Sequence, residues 1–240
     1  MIMKRDFFHQ GLKYSFNWEP NRIKERVMFS KSNRILFEYL IKIYKNEIPF
    51  ELFNDRNVER ISKFRLKGLP KGYLQKLSDA LINSGEIIKT ELGNSKFELS
   101  ELADKVFTNF ESEKLDKKPG HEPILKYILI KNPHAIAVEI PIWKSQPKIT
   151  GHIDLILIDE DTIYIADYKP EGKFLHSLPQ VAFYGLLLKK KFRIENIRCM
   201  QFSKEECWEY NPEILRSVLP NYLEEKCLKE LDWTHYLSIC

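Results

Sequence analysis

Four residues able to do chemistry, His152, Asp154, Asp167 and Lys169, stand on two segments whose alternation reads as a pair of strands. The turn between them, Asp159-Glu160-Asp161-Thr162, fixes a register. With Asp159 facing Thr162, Ile158 faces Ile163, Ile156 faces Ile165, Asp154 faces Asp167 and His152 faces Lys169. Alternate residues of a strand share a face, so four isoleucines occupy one end of this face. Two carboxylates, an ammonium and an imidazole occupy the other. Directly opposed aspartates lie ~4.5–5.5 Å apart at Cβ and repel unless something compensates them. A divalent cation is the natural compensator, because Mg²⁺ takes oxygen ligands and is commonly held by one or two carboxylates with water and substrate phosphate. Lys169, beside Asp167, would hold or deprotonate an attacking water and steady charge developing on phosphorus. The chemistry expected is metal-dependent phosphodiester hydrolysis. The competing reading is a solvated sheet edge of alternating charges. Against it, Ile153, Leu155, Leu157, Tyr164, Ala166 and Tyr168 make the opposite face apolar too and predict cover on both sides.

Such a hairpin needs a frame. Periodicity predicts a helix over about Glu122–Ile130, strands near Ile136–Trp143, Lys148–Ile158 and Thr162–Lys169, a helix over about Leu178–Lys190 and a strand near Ile197–Phe202. That order implies an α/β fold with a mixed sheet flanked by helices. The charged stretch from Glu111 to Gly120, closed by Pro-Gly, predicts a boundary between a domain of residues 1–112 and one of residues 113–240. Before it, Arg34–Tyr44 and Lys71–Ser84 have the spacing of amphipathic helices, the second stopped by Gly85. Glu86–Leu92 and Ser95–Leu99 around Gly93-Asn94 read as a β-hairpin, and Ser100 as the cap of a helix reaching about Phe107. Helices followed by a two-stranded wing resemble a winged helix-turn-helix domain. That likeness implies DNA binding by the helix before the wing, through Lys71, Gln75, Lys76 and Ser78. A scaffold or dimerisation module is the alternative, and Asp79 and Glu86 near that face weigh against DNA. Phe7, Phe8, Tyr14, Phe16 and Trp18 predict that the first thirty residues pack rather than trail.

Gly151-His-Ile-Asp154, a short turn, and Ile165-Ala-Asp167-Tyr-Lys169 together resemble the motif of the PD-(D/E)xK nuclease superfamily. The RecB-like branch is the nearer likeness: Gln180-Val-Ala-Phe-Tyr184 matches its Gln-x-x-x-Tyr helix, and Gly120-His121-Glu122 falls where its first helix carries His or Glu. The likeness spans roughly Pro119 to Phe202. It implies a restriction-endonuclease-like fold in which Asp154, Asp167 and the Tyr168 carbonyl ligate Mg²⁺ or Mn²⁺. Glu122 would approach from the first helix, with His121 as a further ligand there. Lys169 would be the catalytic lysine, and Gln180 and Tyr184 would orient it or contact the DNA backbone. Each secondary residue has a plainer role. His121 and Glu122 suit a helix start, and Gln180 and Tyr184 suit a core. Glu139, in Val-Glu-Ile-Pro-Ile, matches a pattern the branch also shows and stands either beside the site or at solvent. Many relatives in that branch bind an iron-sulfur cluster using a cysteine ahead of the motifs. This chain has none before Cys199, so Cys199, Cys207, Cys227 and Cys240 are expected as ordinary thiols and no cluster is expected.

Composition sets the outer limits. A net charge of +4 over 240 residues permits a polyanionic partner without demonstrating one, and 43% apolar residues suffice for a core. No apolar run is long enough to cross a bilayer and the first sixteen residues carry no apolar signal region, which predicts a soluble, intracellular protein. DNA is the expected partner, with a homodimer as a further expectation. The function expected is a metal-dependent deoxyribonuclease, endonuclease or exonuclease left open. Its rivals are an RNA nuclease and a non-catalytic DNA-binding protein on a degenerate nuclease fold. A small-molecule phosphoesterase is disfavoured by the lack of a Gly-rich phosphate loop.

Overall fold

A computed structural model describes residues 1–27, 30–113, 118–223 and 231–239. In chain order, β1 (Met3–His9) and β2 (Leu12–Trp18) form a hairpin, followed by α1 (Pro20–Val27), α2 (Lys31–Tyr44), α3 (Phe50–Asn54) and the two-residue β3 (Glu59–Arg60). Next come α4 (Lys71–Asn83), β4 (Ile87–Glu91), α5 (Leu99–Ser112) and α6 (His121–Lys131). The chain then supplies β5 (Ala135–Ser145), β6 (Lys148–Asp159), β7 (Thr162–Tyr168), α7 (Phe174–Phe192), β8 (Ile197–Phe202) and β9 (Glu206–Tyr210).

Among the described residues these strands make one mixed sheet in the order β1-β2-β5-β6-β7-β8-β9-β4, with β3 joined to β6. Neighbours are antiparallel except β7–β8, where α7 is the crossover, and β3–β6. Helices cover both faces. Leu36, Leu40 and Ile43 of α2 and Val181, Ala182 and Phe183 of α7 pack on one core with Ile156, Ile158, Ile163 and Ile165. Leu102 and Val106 of α5 and Ile124, Leu125 and Ile128 of α6 pack on the other with Leu155, Leu157, Tyr164 and Ala166. The fold is thus α/β with a large mixed sheet flanked by helices, the two-faced cover that the alternating apolar residues of β6 and β7 require. Among the described residues no helix is long and apolar enough to cross a membrane.

Residues 1–112 do not stand apart from this frame. β1 and β2 extend the sheet beside β5, β4 closes its other end, and α5 packs on α6 across the charged stretch. The wing is not formed: Ile87–Glu91 is a strand, but its partner is β9, with Ile87 opposite Tyr210 and Thr90 opposite Cys207. Ser95–Glu98 is a turn rather than a returning strand. Ser95 Oγ accepts from Leu99 N, the first amide of α5, which runs on to Ser112, while the buried Ser100 hydroxyl has no hydrogen-bond partner among the described residues. Buried Ile87 and the ladder to β9 outweigh the local turn signal of Gly93-Asn94, because the partner strand satisfies backbone groups that a lone hairpin would expose.

Candidate active site

The expected register between β6 and β7 forms over five pairs, from Asp159–Thr162 to Leu155–Ala166, and then the strands part. β7 continues along β8, with Asp167 opposite Gln201, Tyr168 opposite Phe202, and Lys169 N donating to the Phe202 carbonyl. On the same side of β6, β3 covers only Ile149 and Thr150. Gly151 to Asp154 therefore presents a sheet edge with no strand partner on that side among the described residues. Asp154 Oδ2 accepts from the Tyr168 N at 3.0 Å, so a carboxylate replaces the ladder bond where the strands diverge.

The side chains gather at this fork. Lys169 Nζ rests 2.6 Å from Asp167 Oδ2 as an ion pair, off the axis of a hydrogen bond. Gln180 of α7 lies between them: its amide donates to Asp167 Oδ1 at 3.4 Å and its carbonyl oxygen accepts from Lys169 Nζ at 3.5 Å. His121, the first residue of α6, places Nδ1 3.5 Å from Asp154 Oδ2. Asp167 is 1% exposed, and burial followed by the neighbouring Asp154 charge pushes its carboxyl upward, with the Lys169 ammonium opposing. The hydrogen bond to Asp154 raises the His121 pKa and so favours the imidazolium beside that side chain.

A further carboxylate belongs to the cluster. Glu139 lies on β5 between the pairs Val138–Leu155 and Ile140–Ile153, which sets it across from Asp154, and its φ is +55°. That is left-handed backbone on a non-glycine residue inside a buried strand. Alternation slips on both strands there: Ala137 and Ile140 share one core, as do Ile153 and Ile156. The slip brings Glu139 into the field of Asp154 and Asp167. Burial first, and then those two charges, raise its pKa. The Val-Glu-Ile-Pro-Ile pattern pointed to this residue without placing it, because nothing in the sequence marks a positive φ.

Other expected residues lie elsewhere. Glu122 is exposed and ion-paired to Lys126 one helical turn on, not turned toward Asp154. Tyr184 is 1% exposed and so is not a surface contact for DNA; its hydroxyl meets Gln180 and the backbone of His152, and its ring lies over Gly151. His152 never faces Lys169, because the ladder ends before it. It is buried against His9, with Nε2 2.8 Å from His9 Nδ1, and stacks on Tyr14 at 3.8 Å between centroids. On α4, Gln75 and Lys76 are exposed, and Gln75 donates to Asp79. The Lys71 side chain lies outside the described residues, as do Cys227 and Cys240. Cys199 and Cys207 are free, and burial raises the pKa of both thiols.

The side chains in this cluster offer three carboxylates, from Asp154, Asp167 and Glu139, and the His121 imidazole, a set dominated by the hard oxygens that Mg²⁺ and Mn²⁺ prefer. Among the described residues no three His, Cys, Asp or Glu side chains stand close enough together to enclose a cation. Mg²⁺ needs only one or two protein carboxylates when substrate and water complete the sphere. No family model matches this chain, and no curated protein matches it.

Proposed function

We propose that this protein is a metal-dependent nuclease that hydrolyses DNA phosphodiester bonds at the fork between β6 and β7, on a restriction-endonuclease-like fold. The observation that supports it best is the convergence of Asp154, Asp167, Lys169 and Gln180, drawn from three elements, at an unpaired sheet edge. Asp154 and Asp167 would hold Mg²⁺ or Mn²⁺, with Glu139, His121 and the Tyr168 carbonyl within the same cluster. A bound divalent cation there supplies a lowered pKa for water and charge neutralisation at the phosphoryl oxygens.

The chain's own groups account for the rest. Gln180 holds Lys169 and Asp167 in fixed relation, so the ammonium needs no reorganisation when negative charge develops on phosphorus. Lys169 then orients the attacking water and stabilises that charge. Tyr184, packed over Gly151, fixes the rotamer of Gln180 from behind and keeps bulk water from that side of the cluster. Gln75 on α4 stands beside the loop that follows Lys169, since Gln75 and Gly172 line one groove of about 480 Å³, and Lys76 is the next residue of the same helix. A duplex seated at the cluster would meet them there.

Incubation with closed-circular DNA, linear DNA and RNA, each in Mg²⁺, Mn²⁺ or EDTA, tests the reading. Metal-dependent cleavage of DNA, with RNA left intact, is the expected result. Cleavage of RNA alone would move the substrate to the rival class, and no cleavage of any of them with either metal would overturn the proposal.

A further inference from the structure

Lys169 sits on a turn that delivers the chain to α7: Gly172 N donates to the Lys169 carbonyl at 3.1 Å, and Lys173 precedes the first helical residue. One helical turn before Gln180 stands His176, so the two project along one face of α7. The His176 carbonyl accepts from Leu66 N at 3.0 Å, which docks the segment between β3 and α4 on the start of α7. That segment is anchored twice more. Phe64 packs edge-on against Phe183 of α7, at 4.9 Å between centroids, and Trp233 Nε1 donates to the Arg65 carbonyl at 2.9 Å. Phe64 and Leu66 are buried, while Arg65 and Lys67 between and beyond them face outward.

The consequence is a basic strap fixed by its backbone and apolar side chains to the start of α7, one helical turn before Gln180. Burial holds the His176 pKa down, and the charges of Arg65, Lys173, Lys67 and Lys169 lower it further, so four cations act on one imidazole. Their acidic partners are exposed and peripheral: Lys173 pairs with Glu171, and Asp232 lies 3.9 Å from Lys67 while 88% exposed. A concentration of positive charge beside a candidate phosphodiester site matches a chain of phosphates, whose contacts position a nucleic acid without reading its bases.

We propose that the strap and the start of α7 seat the strand flanking the scissile bond, with Arg65, Lys67, Lys173 and His176 on the phosphates next to the one presented to Lys169. The assignment rests on the nuclease reading and deepens it. The second lysine-rich patch, Lys190 and Arg193, lies at the far end of α7, roughly 25 Å from Lys173 at 1.5 Å per residue, and supplies a control.

The test is DNA affinity against salt, measured in EDTA so that cleavage does not intrude, with a labelled duplex and a labelled single strand. Each lost phosphate contact reduces the slope of log K against log salt by about 0.9 on duplex DNA. The double variant Arg65→Gln with Lys67→Gln should therefore lower the slope by about 1.8 and weaken binding roughly tenfold to a hundredfold near 0.1 M salt. Lys173→Gln, whose side chain is 72% exposed, should lower the slope by about 0.9 without touching the fold. Lys190→Gln with Arg193→Gln should leave the slope where it is. Wild-type slope and affinity in both strap variants would overturn the assignment, as would an equal fall in the control. Loss of binding in the strap variants of a protein that cleaves nothing would support the seat and remove the catalytic reading, whereas a wild-type protein that binds no DNA would remove both.

Discussion

At the scale of single residues the candidate site is a set of charges that would be unfavourable without one another. Asp167 is buried, Glu139 is largely so, and each is placed where the other carboxylates raise its pKa; Lys169 and His121 offset that repulsion. The support behind them is steric. A Cβ built on Gly151 would meet Tyr184 Cε1 at 2.5 Å, and the buried ring has nowhere to go. Gly151→Ala should destabilise the fold by about 1–3 kcal/mol, as overpacking does, and disturb the Gln180 contacts that Tyr184 supports. Thermal denaturation checks it, and an unchanged melting temperature would contradict it. Asp154, Asp167 and Lys169 were legible as neighbours because a short turn fixes the register of the hairpin that carries them, while Gln180 was legible only through the resemblance of its helix to a Gln-x-x-x-Tyr pattern. Glu139 was only half legible, since its contribution depends on a positive φ that no residue type announces. Glu122, expected at the site from the resemblance, pairs with Lys126 instead, and a carboxylate in the first turn of a helix serves the helix whether or not it serves a site.

Among the elements, the β1–β2 hairpin is tied to β6 by an imidazole pair. His9 and His152 are both buried, and burial aided by the Arg60 charge lowers the His9 pKa to about 4. Above the ordinary imidazole value of ~6.5 both folded and unfolded chains keep His9 neutral, and the pair carries no pH dependence. Below it the unfolded chain takes up a proton that the folded chain refuses, so stability falls as pH drops from ~6.5 toward 4, by up to roughly 1.4 kcal/mol per pH unit for such a group. Melting at about pH 7.5 and about pH 5 should show a wider gap for wild type than for His9→Gln, and equal gaps would contradict this account. The elements misjudged from sequence are those with distant partners. Ile87–Glu91 alternates like a strand and is one, but its partner β9 lies more than a hundred residues on, and only the local Gly93-Asn94 turn was visible. β6, β7 and their hairpin were legible because their contacts are local.

For the whole molecule, one sheet carries strands from both ends of the chain, and its two cores draw on both sides of the charged stretch at residues 111–120. That stretch reads as a boundary because it is polar, yet polarity marks exposure and not independence. A fragment of residues 113–240 would lack β1, β2 and β4, leave β5 and β9 as open edges, and expose the face that α2 and α5 cover. It should not fold: circular dichroism and dispersion of amide signals should show no cooperative structure, and a stable monomeric fragment would contradict the single-sheet account. The same architecture gives the fork its rigidity, since β6 is held by β5 along most of its length while the stretch from Gly151 to Asp154 has, among the described residues, no strand on the other side. The most direct measurement of the central claim is cleavage of DNA in Mg²⁺ or Mn²⁺ by the wild type, Asp167→Ala and Lys169→Ala, with DNA binding followed in parallel. The account predicts that both variants lose cleavage by about a hundredfold or more while still binding DNA, and cleavage by either at the wild-type rate would contradict it.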